Sequence, residues 1–268
     1  MPEIIKTGSN NLLASIDGQI GKIIFNKPEK HNAVCIKMWK SLKNILEEFN
    51  NTKSLRVIML AGAGEKAFIS GADISEFEKT RTEKKDVFEY DKIAEGATQI
   101  LYESTKPTIA VIQGYCIGGG LGIAAACDIR IASENATFAI PAAKLGLGYR
   151  SKNLQRVVQL VGPSFATEII VTARQFNVQE AYEMGLVNRV VKHSQLNSFS
   201  GEYADSISNN APMTIFAAKT AIRYMQQQNH KFDDNYLNSL VDQCFSSEDY
   251  AEGRNAFREK RKPTFSGK

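Results

Sequence analysis

Residues 114–128 read GYCIGGGLGIAAACD, and residues 66–77 read KAFISGADISEF. Both place small residues where an apolar, strand-like run passes into a helical one. A helix start exposes unpaired backbone N–H groups and carries a partial positive charge, and glycine lets a ligand approach that backbone closely. Inside a helix each glycine costs about 1 kcal/mol against alanine, so Gly118, Gly119, Gly120 and Gly122 together mark a candidate anion or oxyanion site. Taken alone, the cluster fits a tight, closely packed strand-to-helix turn equally well. GGGLG is neither the GxGxxG dinucleotide fingerprint nor a P-loop, which needs Lys followed by Ser or Thr. The Ser70-Gly71-Ala72-Asp73 turn supplies a second junction of the same kind. Two such junctions in neighbouring layers can aim two N–H groups at one point, the geometry that stabilises an enolate or a tetrahedral oxyanion.

Few other residues invite chemistry. Ser70 sits in no GxSxG elbow and no His–Asp pair accompanies it, which argues against a serine hydrolase. The histidines are His31, His193 and His230, and Cys35, Cys116, Cys127 and Cys244 lie far apart without a CxxC spacing. That pattern implies no metal site and no disulfide framework, and it points to a reducing cytoplasm. Cys116 reads as a small apolar filler. Asp73 reads as a loop-fixing acid, and Lys144 as a solvated cation. Tyr149 and Arg150 read two ways: as a weak acid with a carboxylate-binding guanidinium, or as a packed tyrosine with a surface arginine.

The elements that must position these residues follow from hydrophobic periodicity. LLASIDGQIGKIIFN (12–26) predicts a hairpin. CIKMWKSLKNILEEF (35–49) carries Ile36, Trp39, Leu42, Ile45, Leu46 and Phe49 at helical spacing. SLRVIMLAG (54–62) and TIAVIQG (108–114) predict buried strands, with a glycine-punctuated loop over 63–75 and a charged helix over 83–105. DIRIAS and TFAI predict strands over 128–133 and 137–140. Helices are expected over 154–162 and 165–173, divided at VGPS, with Ser164 as a cap. From about residue 194 onward only helical patterns follow. The chain of 268 residues, 43% hydrophobic and 23% charged, suits a soluble α/β protein with one large core. A core over 1–200 and a helical segment over 201–268 are expected. The net charge of +4 suits an anionic small molecule and gives little support to nucleic acid binding. The polar start MPEIIKTGSN predicts no secretory signal, and no apolar run is long enough to predict a membrane span.

Taken together, five ordered blocks resemble the crotonase superfamily of enoyl-CoA hydratases and isomerases. They are NKPEKHNAV (26–34), KAFISGADISEF (66–77), KPTIAVIQGYCIGGGLGIAAACDIRIAS (106–133), GPSFATEIIVTARQFNVQEAYEMGLVNRVV (162–191) and AFREKRKPTF (256–265). The resemblance implies a spiral of ββα repeats with a C-terminal helical oligomerisation region, assembled as a homotrimer or a hexamer of paired trimers. It implies an acyl-CoA thioester as substrate, with no cofactor beyond the coenzyme A of that substrate and no metal. It assigns the two oxyanion N–H groups to Ala72 and Gly119, and implies that Gly119 is bare so that a thioester oxygen can reach its N–H. It assigns coenzyme A contacts to Ala33, Ala72, Asp73, Ile74, Ser75, Phe257 and Lys260, the last two in part from a neighbouring subunit.

The sequence departs from the family pattern at two positions. A hydratase of this type uses two glutamates to activate water and donate a proton. The resemblance places them at positions that here are Gly122 and Ala142, and no neighbouring acid replaces either. Hydration needs both groups and a double-bond shift needs a base, whereas decarboxylation generates the enolate directly and needs only the oxyanion hole and a proton source. The expected activity is therefore that of an enoyl-CoA hydratase-like lyase or isomerase with altered chemistry. The alternatives are an acyl-CoA decarboxylase or hydrolase, with Tyr149 or water as the acid, and a non-catalytic acyl-CoA-binding subunit.

Overall fold

The structure is a computed structural model and describes residues 2–73, 75, 84–226 and 233–268. After an edge strand β1 (Glu3–Ile5), the hairpin β2 (Leu12–Asp17) and β3 (Ile20–Phe25) leads into helix α1 (Ile36–Asn51). Three ββα turns follow: β4 (Val57–Gly62), β5 (Ala67–Ile69) and α2 (Lys84–Tyr102); β6 (Thr108–Ile112), β7 (Tyr115–Ile117) and α3 (Gly119–Ala126); β8 (Ile129–Ser133), β9 (Thr137–Ala139) and α4 (Ser151–Thr172). Strand β10 (Phe176–Asn177), helix α5 (Val178–Glu183) and strand β11 (Arg189–Val191) close the core. Helices α6 (Leu196–Ser208), α7 (Pro212–Gln226), α8 (Asp234–Phe245) and α9 (Glu248–Glu259) complete the chain. This is the α/β crotonase fold that the sequence blocks imply.

Each turn of the spiral gives one strand to each of two sheets. The larger runs β1-β2-β3-β4-β6-β8-β11, antiparallel through β3 and parallel from β3 to β11. The smaller runs β10-β9-β7-β5, with β5, β7 and β9 parallel. The small sheet is the main feature that the sequence pattern does not foretell. Strand β5 lies inside the span read as a loop, and β7 lies inside the glycine-rich junction. Both are only three residues long, too short to show a period of two.

The predicted helix over 35–49 forms α1, which buries Met38, Trp39, Leu42, Ile45, Leu46 and Phe49 on one face. Each such side chain contributes up to about 1.5–3 kcal/mol by leaving water. The expected division at VGPS is a kink rather than a loop. Gly162, at φ 75° and ψ 169°, interrupts α4, and Pro163 begins its second half. Helix α6 runs through residue 200 and covers Val57, Met59, Ile109, Val111 and Ile131 on the outer face of the large sheet. A boundary near residue 200 thus falls inside α6. Among the described residues, no helix is long and apolar enough to cross a membrane.

Candidate active site

The glycines at the start of α3 answer to different demands. Gly118 adopts φ 56° and ψ −112°, a conformation that a Cβ makes costly, and its N–H donates to the Ala139 carbonyl at 2.8 Å. A Cβ on Gly120 would lie 2.4 Å from the Ile69 oxygen of β5. Gly119 is different: a Cβ there would meet only Trp39, at an ordinary 3.5 Å. Backbone angles therefore demand glycine at 118 and packing demands it at 120, whereas neither demands it at 119. As the first residue of α3, Gly119 has no intrahelical acceptor for its N–H.

The second junction is held from the 26–34 loop. Asn32 is fully buried, with φ 57°. Its side chain accepts from Lys27 N–H at 2.9 Å and donates to the Ala63 and Ala67 carbonyls at 3.0 and 2.8 Å. Val34 then forms a parallel bridge with Ala72. Val34 N–H donates to the Gly71 carbonyl at 2.8 Å, and Asp73 N–H donates to Val34 at 3.0 Å. In a parallel bridge the residue between those two bonds turns its own N–H to the other side, so the Ala72 N–H faces away from the loop. Gly71 and Gly118 pack together, a Cβ on Gly118 lying 3.8 Å from the Gly71 Cα.

Asp73 locks this arrangement. Its buried carboxylate accepts from Lys27 Nζ at 2.6 Å, from Lys30 Nζ at 3.2 Å and from the Ser75 hydroxyl at 2.6 Å. Burial alone would raise its pKa, but these donors outweigh it and hold the carboxyl well below the usual carboxylate range. Asp73 does not line the cavity described next and so acts on the loops. Ala33 is buried and likewise does not line it.

Ala72 and Gly119 both line one cavity of about 640 Å3. Its apolar wall includes Trp39, Ile117, Ile140 and Leu145, and Gly122 and Ala142 line it as well. Among its described lining residues Asp91 is the only carboxylate, and it is paired with Arg150 through Nη2 at 2.6 Å and Nε at 2.7 Å. Trp39, assigned from its spacing to the core alone, also faces the cavity and donates its indole N–H to the Tyr90 hydroxyl at 2.9 Å. A single tryptophan on an amphipathic helix carries no sequence signal for that second role.

Tyr149 takes the place of greatest chemical interest. A Cβ on Gly122 would lie 3.6 Å from the Tyr149 hydroxyl oxygen. That hydroxyl is buried and has no hydrogen-bond partner among the described residues. Burial pushes its pKa far above the usual tyrosine value, an effect that the positive charge of Arg156 only partly opposes. The phenol is thus a proton carrier and donor at neutral pH, never a standing base. Cys116 is fully buried and its thiol pKa is likewise pushed up by burial, which suits an inert filler. Lys144 is exposed. Phe257 and Lys260 do not line the cavity within a single chain, and Phe257 is 88% exposed. Ile74 lies outside the described residues, and Ser75 is exposed beside Asp73.

The comparisons with known proteins agree with this architecture. The sequence model of the enoyl-CoA hydratase/isomerase family matches residues 15–268. The chain is 35% identical over 253 residues to the short-chain-enoyl-CoA hydratase of Clostridium acetobutylicum, covering 94% of this chain and 96% of that protein. It is 34% identical over 264 residues to the carnitinyl-CoA dehydratase of Proteus mirabilis, covering 97% and 100%. Among solved structures, a putative enoyl-CoA hydratase/isomerase family protein of Hyphomonas neptunium superimposes with a TM-score of 0.93 at 31% identity, covering 98% and 100%. An enoyl-CoA hydratase of Bacillus anthracis does so with a TM-score of 0.87 at 31% identity, covering 97% and 100%. The chain belongs to the enoyl-CoA hydratase/isomerase family and is an acyl-CoA enzyme of the crotonase superfamily.

Proposed function

We propose that this enzyme generates a thioester enolate by decarboxylation and protonates it from Tyr149, in place of adding water across a double bond. The Ala72 and Gly119 N–H groups form the oxyanion hole in this reading. The carboxylate on the α-carbon of an α-carboxy, malonyl-type acyl-CoA leaves as CO2, and the electron pair of the broken C–C bond passes into the enolate. The two N–H groups stabilise the oxygen on which that charge develops; one such donor is worth about 2.7–4 kcal/mol. The α-carbon then takes the Tyr149 proton, and solvent returns a proton to the phenolate. No step calls on a resident base.

The observation that carries the reading is the Tyr149 hydroxyl, buried and unpartnered beside Gly122. A buried hydroxyl without a partner costs about 1–3 kcal/mol, a cost that a bound substrate would relieve. The absence of any free carboxylate among the described lining residues supports it further. Hydration is the reading that the names of the relatives carry. It needs an acid and a base on one water, and Gly122 and Ala142 provide neither. Coenzyme A contacts at Ala33, Ala72, Asp73, Ile74, Ser75, Phe257 and Lys260 belong to the same proposal. So does a trimeric or hexameric assembly, which the exposed Met225, Val241, Phe245 and Phe257 of the C-terminal helices support.

The test is direct. Malonyl-CoA or methylmalonyl-CoA is expected to release CO2, while crotonyl-CoA keeps its conjugated thioester absorbance. Rapid loss of that absorbance with no release of CO2 from either carboxylated substrate would overturn the reading.

A further inference from the structure

A second cavity, of about 390 Å3, lies between α4 and α7 and shares no lining residue with the first. Three cations line it, Arg156 from α4 and Lys219 and Arg223 from α7, against one carboxylate among its described lining residues, Asp128. Asp128 is largely committed. Its Oδ2 accepts from the Thr108 N–H at 2.7 Å, from the Thr108 hydroxyl at 2.8 Å and from Lys219. Its Oδ1 stands 3.8 Å from Arg223 Nη2, beyond hydrogen-bond reach.

The two arginines are left with neutral partners. Arg156 is 4% exposed and donates to Asn153 Oδ1 at 2.9 Å and to Gln99 Oε1 at 2.7 Å. Arg223 donates through Nη2 to the Ser104 carbonyl at 2.9 Å. Both guanidinium groups lie over one ring, that of Tyr102, at 5.0 and 5.5 Å from its centroid. The Nε–H of each and the Nη1 donors of Arg223 make no hydrogen bond among the described residues. Glu95 and Glu103 also act on Arg156, but neither lines the cavity. Burial pulls the Lys219 pKa down to about 8, and Arg223 adds to the fall while Asp128 opposes it, as expected where cations outnumber their counter-charges. The rest of the lining is largely apolar and includes Ala126, Leu160 and Ile215. An apolar cavity of this size with a few convergent polar groups has the character of a small-molecule site.

We propose that this second cavity binds a small aliphatic carboxylate, whose oxygens accept from Arg156 and Arg223 and whose chain lies against Leu160 and Ile215, and that the bound anion slows the reaction in the first cavity. Arg156 connects the two. It holds Asn153, which lines the first cavity and lies three residues before it on the same face of α4. Its positive charge also reaches Tyr149, where it favours the phenolate against burial. A carboxylate on Arg156 offsets that charge and makes the Tyr149 proton harder to give. The kinetic half of the proposal rests on the decarboxylation reading; the binding half does not.

The test begins with calorimetry on the full chain, using hexanoate, 1-hexanol and inorganic phosphate as probes. Hexanoate is expected to bind about tenfold to a hundredfold more tightly than 1-hexanol, the difference made by charge-assisted hydrogen bonds, and more tightly than phosphate, which lacks the apolar chain. Arg223→Gln should remove that preference for hexanoate over 1-hexanol. Ala218→Phe, at an exposed lining position, should block both, in proteins whose melting temperatures show them folded. Hexanoate binding that survives both substitutions would place the ligand elsewhere and overturn the site. Phosphate binding as tight as hexanoate would overturn the ligand class. In malonyl-CoA turnover, hexanoate should lower kcat at unchanged KM, with a midpoint equal to its dissociation constant, and Arg223→Gln should relieve the effect. A rise in KM alone would mean competition in the first cavity and would overturn the coupling. If no CO2 is released at all, the decarboxylation reading fails while the binding result still decides the site.

Discussion

Replacing Tyr149 with phenylalanine should move stability and activity in opposite directions. The substitution deletes one oxygen and keeps the ring against its neighbours. In the structure that oxygen is buried without a hydrogen-bond partner, so its removal breaks no bond among the described residues and lifts a desolvation cost of about 1–3 kcal/mol. A chain of this size gains about 2–4 °C in melting temperature per kcal/mol, so a rise of at least about 2 °C is expected. If the phenol supplies the proton that quenches the enolate, turnover on a carboxylated acyl-CoA should fall by about 10²–10⁴. The wild-type pH profile adds a check. Because burial raises the Tyr149 pKa, the rate should show no loss as pH passes the ordinary tyrosine value of about 10. The assays are differential scanning calorimetry and CO2 release. A melting temperature that drops by several degrees would mean that the hydroxyl is satisfied in the native state. Unchanged turnover would mean that it is not the acid. Either result refutes the argument.

Three further outcomes follow from the same geometry. Gly120→Ala should cost about 1–3 kcal/mol or more, because its Cβ would sit 2.4 Å from the Ile69 oxygen; Gly119→Ala, with 3.5 Å to Trp39, should fold normally, and melting curves of the two would separate them. Asp73 binds its proton more weakly when folded than when unfolded, so its contribution is present above the unfolded value near 3.8 and is lost as pH falls towards the lower folded one; Asp73→Asn should flatten that part of the acid limb, read from denaturant melts between about pH 6 and pH 3. Gly122→Glu should bring a carboxylate against the Tyr149 hydroxyl, slow CO2 release and leave crotonyl-CoA hydration slow for want of a partner at Ala142; a single substitution that gave rapid hydration would show that another acid is already in place.

Much of the architecture was legible because the large sheet and the long helices obey clear periods. α1 shows six apolar residues at helical spacing, and β4 and β6 are short, largely apolar runs bounded by glycine or proline. The small sheet was not legible. β5 and β7 have three residues each, and their hydrogen bonds join segments far apart in the chain, which local pattern does not report. Ala72 and Gly119 were legible only as two glycine-rich junctions, since their placement on one cavity depends on the Val34–Ala72 bridge and on Asn32 in a left-handed conformation. The role of the glycines also needed coordinates. Gly118 is required by its backbone angles and Gly120 by the approach of β5, whereas Gly119, the one assigned a chemical reason for being bare, has room for a methyl group.

Glycine at 122, alanine at 142 and the buried Tyr149 phenol fit a single arrangement. A glutamate at position 122 would direct its side chain past a Cβ that is already 3.6 Å from the phenol oxygen, so a carboxylate there and this tyrosine compete for the same space. With glycine at 122 and alanine at 142, neither position supplies a charged group, and among the described residues a phenol kept protonated by burial lies beside Gly122. Under the proposed decarboxylation, surroundings of this kind disfavour a substrate carboxylate and favour neutral CO2, while an oxyanion hole at Ala72 and Gly119 would favour the enolate left behind.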